Sequence, residues 1–199
     1  MPRPFTKALF CGAMLALAGC AAQTPPVQVT RFHLEQAVAP GEIAIEPRDP
    51  GLAGSLEFDT YAAAVRDELV RRGFHPAADV AHSEQVASLD IHTLSREGPP
   101  RPPRFSIGIG GASFGRNVGV GGGVNVPVDK PRPGQMTYAT EISVQIKRRS
   151  DGTVFWEGRA RSQAAGGSAY AMPSAMAKRL AEALFTGFPG ESGRTITVK

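Results

Sequence analysis

Beyond residue 20 this chain has no cysteine, and beyond residue 92 it has no histidine. Each shortage closes a class of function. With its two thiols, Cys11 and Cys20, both near the amino terminus, the main body has none for a disulfide framework, a Cys-type zinc site or thiol catalysis. The four histidines, His33, His75, His82 and His92, lack the i, i+4 spacing of a zinc-binding helix. After the first hydrophobic run no apolar stretch approaches the ~18 residues that would cross a bilayer. Neither charge sign dominates: 22 Lys and Arg against 18 Asp and Glu give a formal +4. That is too little to argue for a nucleic-acid partner, although the sequence pI is about 9.4.

What is present begins at the amino terminus. Arg3 and Lys7 precede an apolar run over residues 8–17, about ten residues, short of the ~30 Å of hydrocarbon in a bilayer. The run ends in Leu17-Ala18-Gly19-Cys20, which resembles the bacterial lipobox. The resemblance implies cleavage before Cys20 and a diacylglycerol thioether on its sulfur. Small residues at 18 and 19 leave the backbone open to the peptidase. Ala21, where an Asp would favour inner-membrane retention in the resembled system, implies the outer membrane, with the domain facing the periplasm. Three acyl chains, at about 0.8 kcal/mol per buried CH2, make release very slow.

Removing residues 1–19 with Arg3 and Lys7 leaves 180 residues carrying 20 basic and 18 acidic side chains, a net of +2. That length suits one domain. A hydrophobic fraction of 42% is compatible with a core, whereas 23 Gly and 17 Pro imply much irregular chain. Residues 20–28, with Pro25 and Pro26, read as a lipidated tether. Phe32 and Leu34 alternate with Arg31 and His33, and Ile43 and Ile45 with Glu42 and Glu46, suggesting two strands. Phe58, Tyr61, Ala62, Val65 and Leu69 recur at helical spacing. Ser55 or Asp59 suits the N-cap, and Gly73-Phe74 suits a Schellman ending. Ala87, Leu89 and Ile91 mark a third strand.

Residues 98–134 form a Gly- and Pro-rich insertion, opened by Pro99-Pro100-Arg101-Pro102-Pro103 and carrying Phe105, Ile107, Ile109, Val118, Val120, Val124 and Val126 around Gly115-Arg116-Asn117. It reads as a loose hairpin rather than a helix, with few side chains to set its register. The firmest hairpin follows. Tyr138, Thr140, Ile142, Val144 and Ile146 share one face, Ser150-Asp151-Gly152 turns the chain, and Val154, Trp156 and Ala160 return on the same face. Pro173 opens a last helix with the stripe Met176, Leu180 and Leu184, closed by Gly187, and residues 191–199 read as a tail. The fold expected is α+β: an antiparallel or mixed sheet of about five to six strands with two helices on one face, plus the insertion.

Four segments together resemble bacterial lipoproteins of domain of unknown function 4136, over most of residues 29–190. They are the lipobox, the 61–74 helix ending in Arg71-Arg72-Gly73-Phe74, the hairpin with Thr153-Val154-Phe155-Trp156-Glu157-Gly158, and the 177–189 closing segment with Leu184-Phe185-Thr186-Gly187-Phe188-Pro189. The middle segment of that family is often rich in Tyr and Trp, whereas here it carries Gly, Ile and Val. The resemblance implies an envelope lipoprotein of uncharacterised activity and offers no catalytic residues to carry over.

Motifs for chemistry fail on context. Gly111-Ala112-Ser113-Phe114-Gly115 matches the hydrolase nucleophile elbow, but a Gly- and Val-rich stretch follows instead of a helix, and every histidine precedes Ser113. Gly108-Ile109-Gly110 lacks the third glycine of a dinucleotide fingerprint, since Ser113 stands there. Glu42 and Glu46 read as a solvated pair rather than glycosidase carboxylates, and Trp156 as core rather than a sugar platform. The sharper candidate is Lys147, Arg148, Arg149, Arg159 and Arg161, with Arg101, Arg104 and Arg132 in flanking loops, as a contact for anionic headgroups or lipopolysaccharide phosphates. The expected reading is a non-enzymatic accessory lipoprotein without cofactor or metal. Its partners would be the membrane through Cys20 and an envelope protein, anionic lipid or polysaccharide. An auxiliary subunit of lipid transport is the alternative, and a periplasmic hydrolase a weaker one.

Overall fold

The computed structural model describes residues 24–34, 39–99, 106–109, 124–127 and 134–199. The hairpin alternation produces its two central strands, β7 (Met136–Arg148) and β8 (Val154–Ala165), antiparallel from Thr137↔Ala165 to Lys147↔Val154. In chain order the other elements are β1 (Val27–His33), β2 (Glu42–Pro47), α1 (Leu56–Arg71), β3 (His75–Pro76), β4 (Gln85–Glu97), β5 (Ser106–Ile109), β6 (Val124–Pro127), α2 (Pro173–Phe185) and β9 (Thr195–Val198). One mixed seven-stranded sheet runs β3-β2-β4-β7-β8-β1-β9, and β5 pairs with β6 separately. Only β2 pairs in parallel, with β3 and β4, because α1 carries the chain back before β4 begins. The fold is therefore α+β, with a sheet larger than five to six strands. The additional pieces are β3 and β9, too short to register as strands in the sequence pattern.

Both helices pack side by side on one face. Ser55 caps α1, its hydroxyl accepting from Phe58 N at 3.1 Å. Gly73, at φ 87°, ends the helix in a conformation that disfavours a Cβ, and Phe74 N reaches back to Leu69 O at 3.1 Å. The Phe74 ring is thereby folded into the core. Trp156 is also fully buried; its ring stacks on Phe185 at 5.4 Å and its Nε1 donates to Pro189 O at 3.0 Å. Gly158 faces the same cluster from β8. A Cβ there would meet the Trp156 ring at 2.4 Å and Leu184 at 2.7 Å, so the side-chain-free position lets α2 approach the sheet.

Three expectations need correction. The first strand faces the other way: Phe32 is 51% exposed, while Arg31 is only 4% exposed and lies on the core side. The α2 carboxyl end supplies the reason. Arg31 Nε donates to Leu184 O at 2.8 Å, and Nη2 to Ala183 O at 2.9 Å and Thr186 O at 2.8 Å, taking up carbonyls that a helix end leaves unpaired. Arg72 adds two bonds to Phe185 O and pairs with the buried Glu68. Burial, and then the neighbouring charge of Arg72, lower the Arg31 pKa. Second, the ordered domain begins ahead of residue 29, with Val27 already in β1 and fully buried, so residues 27 and 28, expected in a tether, belong to the sheet. Third, residues 191–199 are no tail: β9 pairs with β1, Arg179 Nη2 holds Val198 O at 3.0 Å, and Ile196 and Val198 pack against the core.

The expected insertion hairpin is present as the antiparallel pair β5–β6, with Ile107↔Val126 and Ile109↔Val124. Phe105, Val118, Val120, Gly115-Arg116-Asn117 and the Pro-rich opening at 100–103 lie outside the described residues.

Candidate functional site

The helices cover one face of the sheet and leave the other open. Strand register places the open face's side chains in transverse rows. One row runs His92, Glu141, Arg161, Gln28 and Thr197 across β4, β7, β8, β1 and β9. Beside it run Leu94, Ala139 and Gln163, and on the other side Asp90, Ser143, Arg159, Thr30 and Thr195. The first two rows, with Pro26, line a groove of about 850 Å³. The pleat explains the pattern, because successive residues alternate between faces and cross-strand partners share one.

The rows are bonded laterally. Arg161 Nε donates to Gln28 Oε1 at 2.7 Å. Asp90 lies 3.3 Å from His92 Nε2 and 3.6 Å from Arg48 Nη1, and Arg48 Nη2 reaches Ser143 Oγ at 3.4 Å. Glu157 accepts from Gln145 at 3.1 Å and from Arg159 through Nε and Nη2 at 3.0 and 2.8 Å. Burial alone would raise the Glu157 pKa, but those hydrogen bonds and the Arg159 charge outweigh it and hold the carboxyl below its ordinary value. Arg48 Nε is buried without a hydrogen-bond partner beneath this face. The chemistry on offer is recognition: amide, carboxylate, guanidinium, imidazole and hydroxyl groups interleave over a small apolar strip. Among the described residues no group of three or more His, Cys, Asp and Glu is placed to hold a metal.

The expected cationic cluster is dispersed. Arg161 stands opposite Glu141 and Arg159 opposite Ser143, whereas Lys147 stands opposite Val154. At about 3.3 Å per residue, Lys147 is some 20 Å along β7 from Arg161's partner. Arg148 pairs with Asp151 at 2.8 Å at the turn. Arg149 is structural: it binds Glu46 at 2.6 Å and donates to Ser83 O and Val80 O. Glu46 is thus an ion-pair partner for Arg149, not half of a solvated pair with Glu42. Leu17, Ala18, Gly19, Cys20, Ser113, Arg101, Arg104 and Arg132 all lie outside the described residues.

The histidines serve local ends. His33 contacts Leu34 O and Gly190 O, each at 3.0 Å, and His82 pairs with Asp79 at 2.8 Å. Sequence reasoning missed the groove because Gln28, Leu94, Gln163 and Thr197 carry no motif. Only strand order brings β1 beside β8 and β9 beside β1. A second, smaller cavity of about 280 Å³ lies at the opposite end between α1, β2 and β3, lined by Ile43, Val70 and Val80 among others.

Fold and site together define an α+β domain that buries one sheet face under two helices and leaves the other open, with polar side chains in transverse rows. The chain is 31% identical over 235 aligned positions to the uncharacterized protein ZMO1243 of Zymomonas mobilis subsp. mobilis, covering 98% of this chain and 87% of that one. It belongs to the same family as that protein. No family model matches it. Among solved structures, a PDZ domain protein from Parabacteroides distasonis superposes with a TM-score of 0.46 at 13% identity. That match covers 87% of this chain, which spans only 39% of the other's length. A structure of the PelC dodecamer from Paraburkholderia phytofirmans gives 0.41 at 13% identity, with 80% of this chain and 95% of that one covered.

Proposed function

We propose that this is a lipid-anchored protein of the outer membrane, held by acyl chains on Cys20 and facing the periplasm, and that it works as a binding or accessory module rather than an enzyme. The observation that carries the binding role is the open sheet face with its groove of about 850 Å³, built of paired donors and acceptors. The lipobox-like Leu17-Ala18-Gly19-Cys20 and the resemblance to domain of unknown function 4136 support the anchor. The near balance of charge on the groove rows favours a polar protein or glycan segment over a polyanion.

An auxiliary role in lipid transport is the second reading, favoured by the Leu94, Ala139 and Pro26 strip within the groove. The test is a palmitate-labelling and crosslinking experiment in intact cells. Label lost on Cys20→Ser, with crosslinks from a photoreactive residue at Gln163 to one polar partner, supports the module. Phospholipid co-purifying with the intact chain, and lost on Leu94→Glu, would favour the transport reading. An unlabelled, freely soluble mature protein would sink the anchor.

A further inference from the structure

The end of the domain from which the chain leaves toward Cys20 also carries the three most exposed large apolar side chains of the described residues. β4 and β8 run toward this end, while β1 and β7 start from it. The chain there is pinned as far as Thr24: Ser162 Oγ donates to Pro26 O at 2.8 Å, Arg179 Nε to Pro25 O at 3.2 Å, and Tyr170 reaches Thr24 Oγ1 at 3.5 Å. α1 begins at the same end, since β2 runs toward it in parallel with β4 and α1 follows β2 after a short turn. α2 begins there too, directly after β8 and the short turn Ala169–Ala171.

Three exposed large apolar side chains mark this end: Leu56 at the start of α1 (85% exposed), Leu94 on β4 (74%) and Met172 before α2 (62%). They are the most exposed of their kind among the described residues. Leu94 lies on the open sheet face, while Leu56 and Met172 belong to the helix layer. No flat approach of one face could cover all three, but an end-on approach could.

We propose that this end rests on the lipid bilayer, with Leu56, Leu94 and Met172 at headgroup level and the groove opening beside the membrane surface. The inference rests on the anchor proposed above. Only Ala21, Ala22 and Gln23 lie between Cys20 and Thr24, a reach of at most about 14 Å. β7, at 13 residues, is itself about 43 Å long. The tether therefore cannot bring the far end, with Val80, to the surface while the domain stands upright. Side chains at the near end lie within reach of the headgroup layer, about 5–7 Å deep on each side of a bilayer.

The test uses the full-length lipidated protein in vesicles of phosphatidylethanolamine and phosphatidylglycerol, with bimane on single cysteines from Leu56→Cys, Leu94→Cys, Met172→Cys, Val80→Cys and Arg159→Cys. In the acylated protein the sulfur of Cys20 is blocked, so the introduced thiol alone reacts. Expected is a blue shift and at least twofold quenching by brominated lipid at 56, 94 and 172, with neither change at 80 and 159. Exposed sites tolerate the label, and far-UV circular dichroism checks each variant. Quenching at 94 and 159 without 56 and 172 would mean a flat-lying sheet and overturn the end-on contact. Vesicle-bound protein with all five probes in water would overturn it while leaving the anchor standing. Protein that does not float with the vesicles would remove the anchor and this inference together.

Discussion

The two faces of one sheet are built from the same strands, yet they hold together by different physics. Toward the helices stand Val29, Leu89, Ile142, Val144, Ile146 and Trp156, all fully buried, and the one ionic group among the β1 side chains there, Arg31, is satisfied by helix carbonyls. Toward solvent stand Gln28, His92, Glu141, Arg159 and Arg161, tied only by lateral pairs. Burial of apolar area scales with surface removed from water, whereas exposed ion pairs are screened and contribute ~0–1 kcal/mol. The covered face therefore carries the stability and the open face is left to vary its chemistry.

Breaking the covered face should show first. Trp156→Ala removes the ring between Phe185 and Phe188 and should cost about 3–5 kcal/mol in denaturant unfolding. Arg31→Met keeps the bulk but strands three α2 carbonyls, and should cost about 2–3 kcal/mol. Gly158→Ala adds one methyl against Trp156 and Leu184 and should cost about 1–3 kcal/mol with the fold retained, read by the same titration and by near-UV circular dichroism.

The open face should respond weakly. Glu157 titrates below its ordinary value in the folded state, so its contribution is present above the unfolded carboxylate pKa and fades as pH falls through the folded one. Glu157→Gln should accordingly be less stable than the parent at pH 6, and the gap should narrow as the pH falls below the ordinary carboxylate range; a gap that widens in acid would refute the assignment. Smallest of all, Arg161→Ala should shift unfolding by less than about 0.5 kcal/mol. A loss of crosslinking from the groove in that same variant, with stability unchanged, would separate the two faces cleanly.

Periodicity made α1, its Gly73-Phe74 ending and the β7–β8 hairpin legible, and narrowed the α1 cap to Ser55 or Asp59, because each is decided by side chains within a few residues. The first strand was not legible. Phe32 and Leu34 look like a core pair, and nothing nearby says that Arg31 will find Leu184 O, more than 150 residues on. The dispersal of the cationic group was not legible for the converse reason: Arg148 and Arg149, adjacent in sequence, turn to Asp151 and Glu46, while Arg161 bonds a strand 133 residues away.

By itself the sequence determined the α+β class and the amphipathic faces, since these follow from local spacing and composition. Tertiary structure alone decided that β1 inserts between β8 and β9, that Arg31 is buried where Phe32 and Leu34 suggested otherwise, and that five strands line up one polar row. The reason is that a lone strand offers two equivalent faces and two open edges. Only the packing of distant elements, and the unpaired carbonyls at a helix end, choose between them.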